Sequence, residues 1–242
     1  MEKRLATPED LEHVRTWLQQ EFDEFGESFI VNFILIEEGQ RDDRLFVLVD
    51  EIPIAFALEH FDPSLRIIAV KPDRRSHDVG TELAEYWFQK LRDQNQFGFE
   101  GECFPTTSLP FWKKMGCTQI ASRNGSPYVI MPFRKINELP EGVKTIHLSF
   151  QLYDAHMKAI PGWDYLTVAV IEPGDYMLAQ DFVAYAPDSE SRLGVLRKGE
   201  PLCAAKVSEI DKIGGERSGS WIRVRNLMFD ESQDECCVDP LT

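Results

Sequence analysis

The sequence predicts a chain in two parts: an α/β (α+β) region, a mixed sheet flanked by helices, over residues 1–137, then a smaller all-β domain over 142–242. Three observations lead there. Through residue 133, apolar runs of strand type alternate with runs at helical spacing, as in a sheet covered on both faces. Around Asn137-Glu138-Leu139-Pro140-Glu141-Gly142 the chain turns polar and rich in turn formers, which suits a linker. Beyond it, helical periodicity all but disappears.

The elements follow in order. Thr7-Pro8-Glu9-Asp10 supplies an N-cap, a proline at the first helical position and an acid three residues after the cap. Leu11, Val14, Leu18 and Phe22 then recur at helical spacing, and a less regular amphipathic segment runs from Phe22 to Ile36. Leu45 to Val49 and Ile52 to Leu58 read as strands of a hairpin turning at Asp50-Glu51. Leu65 to Val70 is a strand that Pro72 ends. Val79, Leu83, Trp87 and Leu91 form one stripe of a helix that packs on a sheet. Phe97 to Phe104 reads as a strand. Thr107 or Ser108 caps a short helix containing Pro110, and Tyr128 to Phe133 closes the region as a final strand. In the second part, Val143 to Tyr153, Leu166 to Ile171, Tyr176 to Tyr185, Gly194 to Leu196, Leu202 to Val207 and Trp221 to Val224 read as strands between Gly, Pro, Asp and Ser.

Composition limits the function. A formal net charge of −15 argues against a reader of duplex nucleic acid, which needs a dense basic face. It permits a cationic substrate, although solubility is its plainer meaning. No apolar run is long enough to cross a bilayer, and Met1-Glu2-Lys3-Arg4 lacks the apolar stretch of a signal peptide, so a cytoplasmic protein without membrane contact is expected. Five cysteines, two of them adjacent (Cys236, Cys237), form no paired CxxC, so reduced thiols and no metal site are expected.

Chemistry concentrates between Leu65 and Cys117. A strand leads into Val70-Lys71-Pro72-Asp73-Arg74-Arg75-Ser76-His77-Asp78-Val79-Gly80-Thr81, then a helix. Such a turn aims successive backbone N–H groups and a helix N-terminus at one spot, which suits a pyrophosphate. Some thirty residues later comes Ser108-Leu109-Pro110-Phe111-Trp112-Lys113-Lys114-Met115-Gly116-Cys117. The order and spacing of these pieces, within residues 3–135, resemble the acyl-coenzyme A site of GNAT-type N-acetyltransferases. The first piece is similar to that family's Arg/Gln-x-x-Gly-x-Gly/Ala turn: Arg75 and Gly80 fit, and Asp78 replaces the first glycine. Aspartate adds a side chain and a like charge there but tolerates a left-handed backbone. The second piece is similar to Ala-x-x-Phe-Tyr-Glu-Lys-Leu-Gly-Phe, with Phe111 and Met115 as core residues and Gly116 ending the helix.

The resemblance implies acetyl-coenzyme A as cosubstrate, bound by Ala69, Val70, Arg75, Ser76, His77, Asp78, Val79, Gly80, Thr81 and Trp112, and direct transfer of its acetyl group to an amine acceptor. The acceptor would be a small molecule or a protein amine. The implied fold is the GNAT-like sheet. Trp112 stands where the family often carries a thiolate-protonating tyrosine, and an indole N–H is no acid at useful pH. Pro105 stands where many members carry a coenzyme-binding asparagine. The family's base is often a carboxylate on the central strands. Here Glu59 ends one strand, and Glu100 and Glu102 share a face of another by period-two alternation. Solvated surface carboxylates are the blander reading of all three, and Cys103 is better read as structural than as an acyl carrier. The altered Asp78, Pro105 and Trp112 keep an alternative open: a weak or inactive acyl-coenzyme A-binding or regulatory module with a protein-binding β domain.

In the second part, Leu193-Gly194-Val195-Leu196-Arg197-Lys198-Gly199-Glu200-Pro201-Leu202 and Gly219-Ser220-Trp221-Ile222-Arg223-Val224 resemble a bacterial SH3-type (SH3b) barrel over 175–226. A generic small barrel, packing on the first domain or on a second copy of the chain in a homodimer, is the competing reading.

Overall fold

A computed structural model describes residues 1–60, 66–75, 77–123 and 126–228. Leu65, Ser76, Cys236, Cys237 and the acidic tail lie outside them. The chain divides into two compact units, residues 1–94 with 100–131, and residues 95–99 with 132–242.

In the first unit, β1 (Glu2–Leu5), β2 (Leu45–Asp50), β3 (Ile52–Leu58) and β4 (Ile67–Val70) form an antiparallel sheet in that order. The β2–β3 hairpin turns at Glu51, whose φ is +65°. Helix α1 (Pro8–Phe25) begins with the expected capping box: Asp10 N–H donates to Thr7 Oγ1, and Thr7 N–H donates to the Asp10 carboxylate at 2.7 Å. Its buried face is Val14, Trp17, Leu18 and Glu21, whereas Phe22 is 37% exposed. The expected stripe therefore drifts by one residue at its end, and a carboxylate takes the place meant for a phenylalanine. A 3-10 turn at Phe29–Asn32 and helix α2 (Phe33–Arg41) complete the segment after α1. Val14, Trp17, Leu18, Phe33 and Ile36 pack with Val47, Phe56, Leu58 and Ala69 of the sheet.

Helix α3 (Val79–Asp93) buries Val79, Leu83, Trp87 and Leu91 as expected, with Ala84 and Phe88 beside them. A second sheet holds β5 (Gly98–Glu102), β7 (Ser126–Pro132) and β6 (Thr118–Arg123) in that order. Helix α4 (Leu109–Lys114) lies between β5 and β6 in sequence. Ser108 occupies its cap position without a capping hydrogen bond. At its end Gly116 (φ +88°) donates to the Lys113 carbonyl and Cys117 to that of Trp112, both at 3.0 Å. One outcome differs from expectation: strand β6 has weak apolar alternation and does not announce itself in the sequence. The sheet itself is in two pieces, because no ladder joins β4 to β5 among the described residues.

The second unit is built on one seven-stranded sheet. Its strands are β8 (Thr145–Tyr153), β9 (Ala159–Glu172), β10 (Asp175–Tyr185), β11 (Arg192–Arg197), β12 (Glu200–Lys206), β13 (Gly215–Ser218) and β14 (Trp221–Met228). Their order is β12-β11-β8-β9-β10-β14-β13. A 3-10 segment at Val207–Ile213 connects β12 to β13 and sets Val207, Ile210 and Ile213 into a core with Phe150, Leu178, Leu193 and Ile222. Strand β9 starts at Ala159, well before the expected Leu166, and β13 is an additional strand.

The candidate acyl-coenzyme A site

The end of β4 and the start of α3 build the site, entirely within the first unit. Lys71 N–H donates to the Ile54 carbonyl at 2.9 Å, and the register pairs Val70 with Ala55 and Ala69 with Phe56. Cross-strand bonding alternates along an antiparallel edge, so Ala69 bonds toward β3 while Ile68 and Val70 turn N–H and C=O to the open edge. Of the two strand residues expected to present an amide, Val70 does and Ala69 does not. Ile68 is the residue that sequence reasoning missed, and its signal was the parity set by Lys71.

After β4, a 3-10 turn at Pro72–Arg74 leads to Arg75, His77 and Asp78. Asp78 adopts the left-handed backbone, φ +58° and ψ 3°, that its place in the turn demands. Its side chain caps nothing in α3, so the first-turn N–H groups of Val79, Gly80 and Thr81 have no intrahelical partner and no cap from Asp78. Gly80 packs beside α4 and β4: a Cβ there would make ordinary contact with Phe111 Cε2 at 3.4 Å and Val70 Cγ2 at 3.5 Å. The turn thereby presents helix-terminal donors beside the open strand edge.

Each cation of the turn is matched by a carboxylate. Lys71 Nζ lies 3.0 Å from Asp73, Arg74 lies 3.3 Å from Asp50 and Lys114 of α4 lies 3.6 Å from Asp78. The bond from Lys71 holds the Asp73 carboxyl below its usual range. Arg75 differs from the others. Its Nε–H donates to the Val70 carbonyl at 2.9 Å, and its Nη2 bonds to the carboxylate of Glu21 on α1. The Arg75 carbonyl accepts from His77 Nδ1 at 2.8 Å, which fixes the imidazole with its proton on Nδ1. Asp50, Ile54, Asp73, Arg74, His77 and Val79 line an open hollow beside the turn.

The three carboxylates considered as bases part company. Glu100 on β5 is buried and accepts from the Tyr128 hydroxyl at 2.7 Å. Glu102, at the end of the same strand, is exposed, so alternation does not give the two a common setting. Glu59 follows β3, half-buried, with Gln94 Nε2 at 3.5 Å. Trp112 is buried, and its ring lies 6.4 Å from Phe88 of α3 and 5.0 Å from Phe111 between centroids. It is packed as core, while Phe111 and Met115, expected as core, are only half-buried. Burial pushes up the thiol pKa of Cys103, and takes that of Cys117 to about 12, so both stay protonated and unreactive.

No family model and no curated protein matches this chain. Among solved structures it is similar to Ard1 from Thermoplasma volcanium (20% identity, TM-score 0.42, 53% of this chain and 93% of that one). It is also similar to a GNAT-family acetyltransferase from Staphylococcus aureus Mu50 (10%, 0.45, 54% and 98%). A third is the PaiA N-acetyltransferase from Thermoplasma acidophilum in complex with coenzyme A (13%, 0.44, 55% and 98%). Each likeness spans about half of this chain.

Proposed function

We propose that the first unit is an N-acetyltransferase that binds acetyl-coenzyme A and transfers its acetyl group directly to an amine. The observation that carries this reading is the open edge of β4, with the N–H groups of Ile68 and Val70, beside the α3 N-terminus that Asp78 leaves uncapped. Backbone donors on an edge strand suit an extended amide-bearing arm, and helix-terminal N–H groups suit a pyrophosphate.

The cosubstrate supplies the activated acetyl thioester. In this reading the backbone of the Arg75-Ser76-His77-Asp78-Val79-Gly80-Thr81 segment, with the α3 first turn, holds phosphate, and the β4 edge orients the arm and donates N–H to the thioester carbonyl oxygen as charge builds on it. Glu100, enclosed and held by Tyr128, is the carboxylate best suited to take the proton from the amine; Glu102 and Glu59 are the solvated alternatives. With Trp112 in the core, the thiolate leaves unprotonated or takes its proton from another group or from water. The acidic chain favours a cationic acceptor. The second unit is read as an SH3-like accessory barrel, and the whole protein as cytoplasmic.

Calorimetric titration with acetyl-coenzyme A, followed by thiol release on a panel of amines, tests the reading. Micromolar binding with turnover that Glu100→Gln abolishes supports it in full. Binding without turnover on any amine favours a coenzyme-binding module, to which Asp78 and Trp112 also lend weight. No binding at millimolar ligand ends both.

A further inference from the structure

We propose that Glu21 is a positioning residue for the β4–α3 turn: it clamps the Arg75 guanidinium against the open edge of β4, so that Arg75 shapes the turn instead of reading the phosphate. The effect on binding rests on the function proposed above; the clamp itself does not.

Glu21 lies on the buried face of α1, beside Trp17 and Leu18, with only 8% of the residue exposed. A carboxylate enclosed in that way requires a cationic donor. Arg75 supplies it from 54 residues away, while its Nε–H satisfies the carbonyl of Val70, on the edge of β4 that pairs with no strand among the described residues. A planar fork can bridge a carboxylate and a carbonyl in fixed geometry, which an ammonium cannot do. The guanidinium thereby ties α1, the last residue of β4 and the turn into one unit.

The surroundings show why Arg75 stays. Lys71, Arg74 and Lys114 pair with Asp73, Asp50 and Asp78, whose side chains are 60%, 45% and 85% exposed. A phosphate drawing those three cations away releases carboxylates into water, which costs little. Drawing Arg75 away strands an enclosed carboxylate and an edge carbonyl together. Arriving phosphate therefore takes the exposed cations and the backbone donors, and Arg75 keeps its place.

Calorimetry with acetyl-coenzyme A on the full chain tests this through Glu21→Ala, Glu21→Gln, Arg75→Met and the Glu21→Ala/Arg75→Met pair. Each of Glu21→Ala and Arg75→Met is expected to weaken binding about tenfold, with the pair no weaker than either alone. Glu21→Gln keeps an oxygen that accepts from the guanidinium and is expected to recover most of the loss. Tighter binding in Glu21→Ala would show the carboxylate competing with phosphate for Arg75 and would overturn the proposal, as would additive losses in the pair. Hydrogen exchange on the unliganded chain reads the clamp without any coenzyme. Faster exchange at the amides of Arg74, Arg75, His77 and Asp78 in Glu21→Ala, with the far end of α3 unchanged, supports it; unchanged exchange at the turn overturns it. If the unmodified chain binds no acetyl-coenzyme A, the proposed function fails and exchange alone decides the clamp.

Discussion

Arg75 and Arg223 each tie down a group from a distant part of the sequence, one near the surface of the first unit and the other wholly inside the second. Arg75 bridges Glu21 and the Val70 carbonyl with its side chain 47% exposed. Arg223 is fully buried, as is Asp181, whose Oδ2 lies 3.5 Å from its Nε. Its Nη1 donates to Asn95 Oδ1 at 3.0 Å and its Nη2 to the Gln96 carbonyl at 3.1 Å, with the guanidinium 4.0 Å above the Phe97 ring centroid. Asn137 Nδ2 donates to the other Asp181 oxygen at 3.0 Å. Burial and the nearby Arg225 pull the Arg223 pKa down and Asp181 opposes them. The same residue type thus does a solvated task in one unit and a desolvated one in the other. A desolvated pair owes more to the completeness of its partners than to its own attraction.

The sharpest test of that contrast is removal of each arginine. Arg223→Met leaves buried Asp181 with only the partly exposed Arg225, 3.5 Å away, and strips the Gln96 carbonyl of its donor, so urea unfolding is expected to register a loss of about 3 kcal/mol. Adding Asp181→Leu should return part of it. Arg75→Met, next to solvent, is expected to cost only about 1–2 kcal/mol, and its effect should shrink in high salt while that of Arg223→Met does not. Equal losses at the two sites would remove the distinction.

Next in size is the packing that accompanies the buried arginine. A Cβ on Gly98 would lie 2.5 Å from Trp221 Cη2. Gly98→Ala is therefore expected to destabilise by about 1–3 kcal/mol, and Trp221→Leu in the same chain should relieve most of that. In the first unit, Thr7→Ala is expected to cost about 1 kcal/mol through the lost cap. Burial pushes the Asp10 carboxyl up, but bonds from Arg4 and Thr7 outweigh it and hold the group below its ordinary 3.8. A depressed carboxyl stabilises above its unfolded value, so this contribution is present at neutral pH and is lost as pH falls from about 4 downward. Thermal unfolding across that range should show a shallower acid loss in Asp10→Asn than in the parent chain.

The smallest effect is expected at the Lys114–Asp78 pair beside the proposed coenzyme site. Lys114→Ala severs an exposed contact and should change acetyl-coenzyme A affinity less than about threefold, whereas Asp78→Gly removes a like charge and should tighten it by about that factor. A large loss in Asp78→Gly would mean that the carboxylate itself contributes to the site.

Much of the site region was legible because its signals are local. The Thr7 cap, the α3 stripe, the Gly116 helix stop and the glycine-bearing turn depend on neighbours a few residues apart, and each stands where the residues put it. Less legible were properties set by long-range contacts. Trp112 occupies a position that suggests chemistry, but which side of a short helix faces the core depends on Phe88 of another helix. Glu100 and Glu102 alternate identically, yet only Glu100 meets a Tyr128 hydroxyl.

By itself, then, the sequence determined where helices start and stop, that the chain changes character near residue 137, and that a turn leads from β4 into α3. Those follow from backbone propensities and capping, which act over one or two turns of chain. Tertiary structure alone decided that the sheet breaks at β4, that Glu21 claims Arg75, and that Asn95–Phe99 groups with the second unit. Each depends on which distant group arrives to complete a hydrogen bond or bury a charge, and no spacing along the chain encodes that arrival.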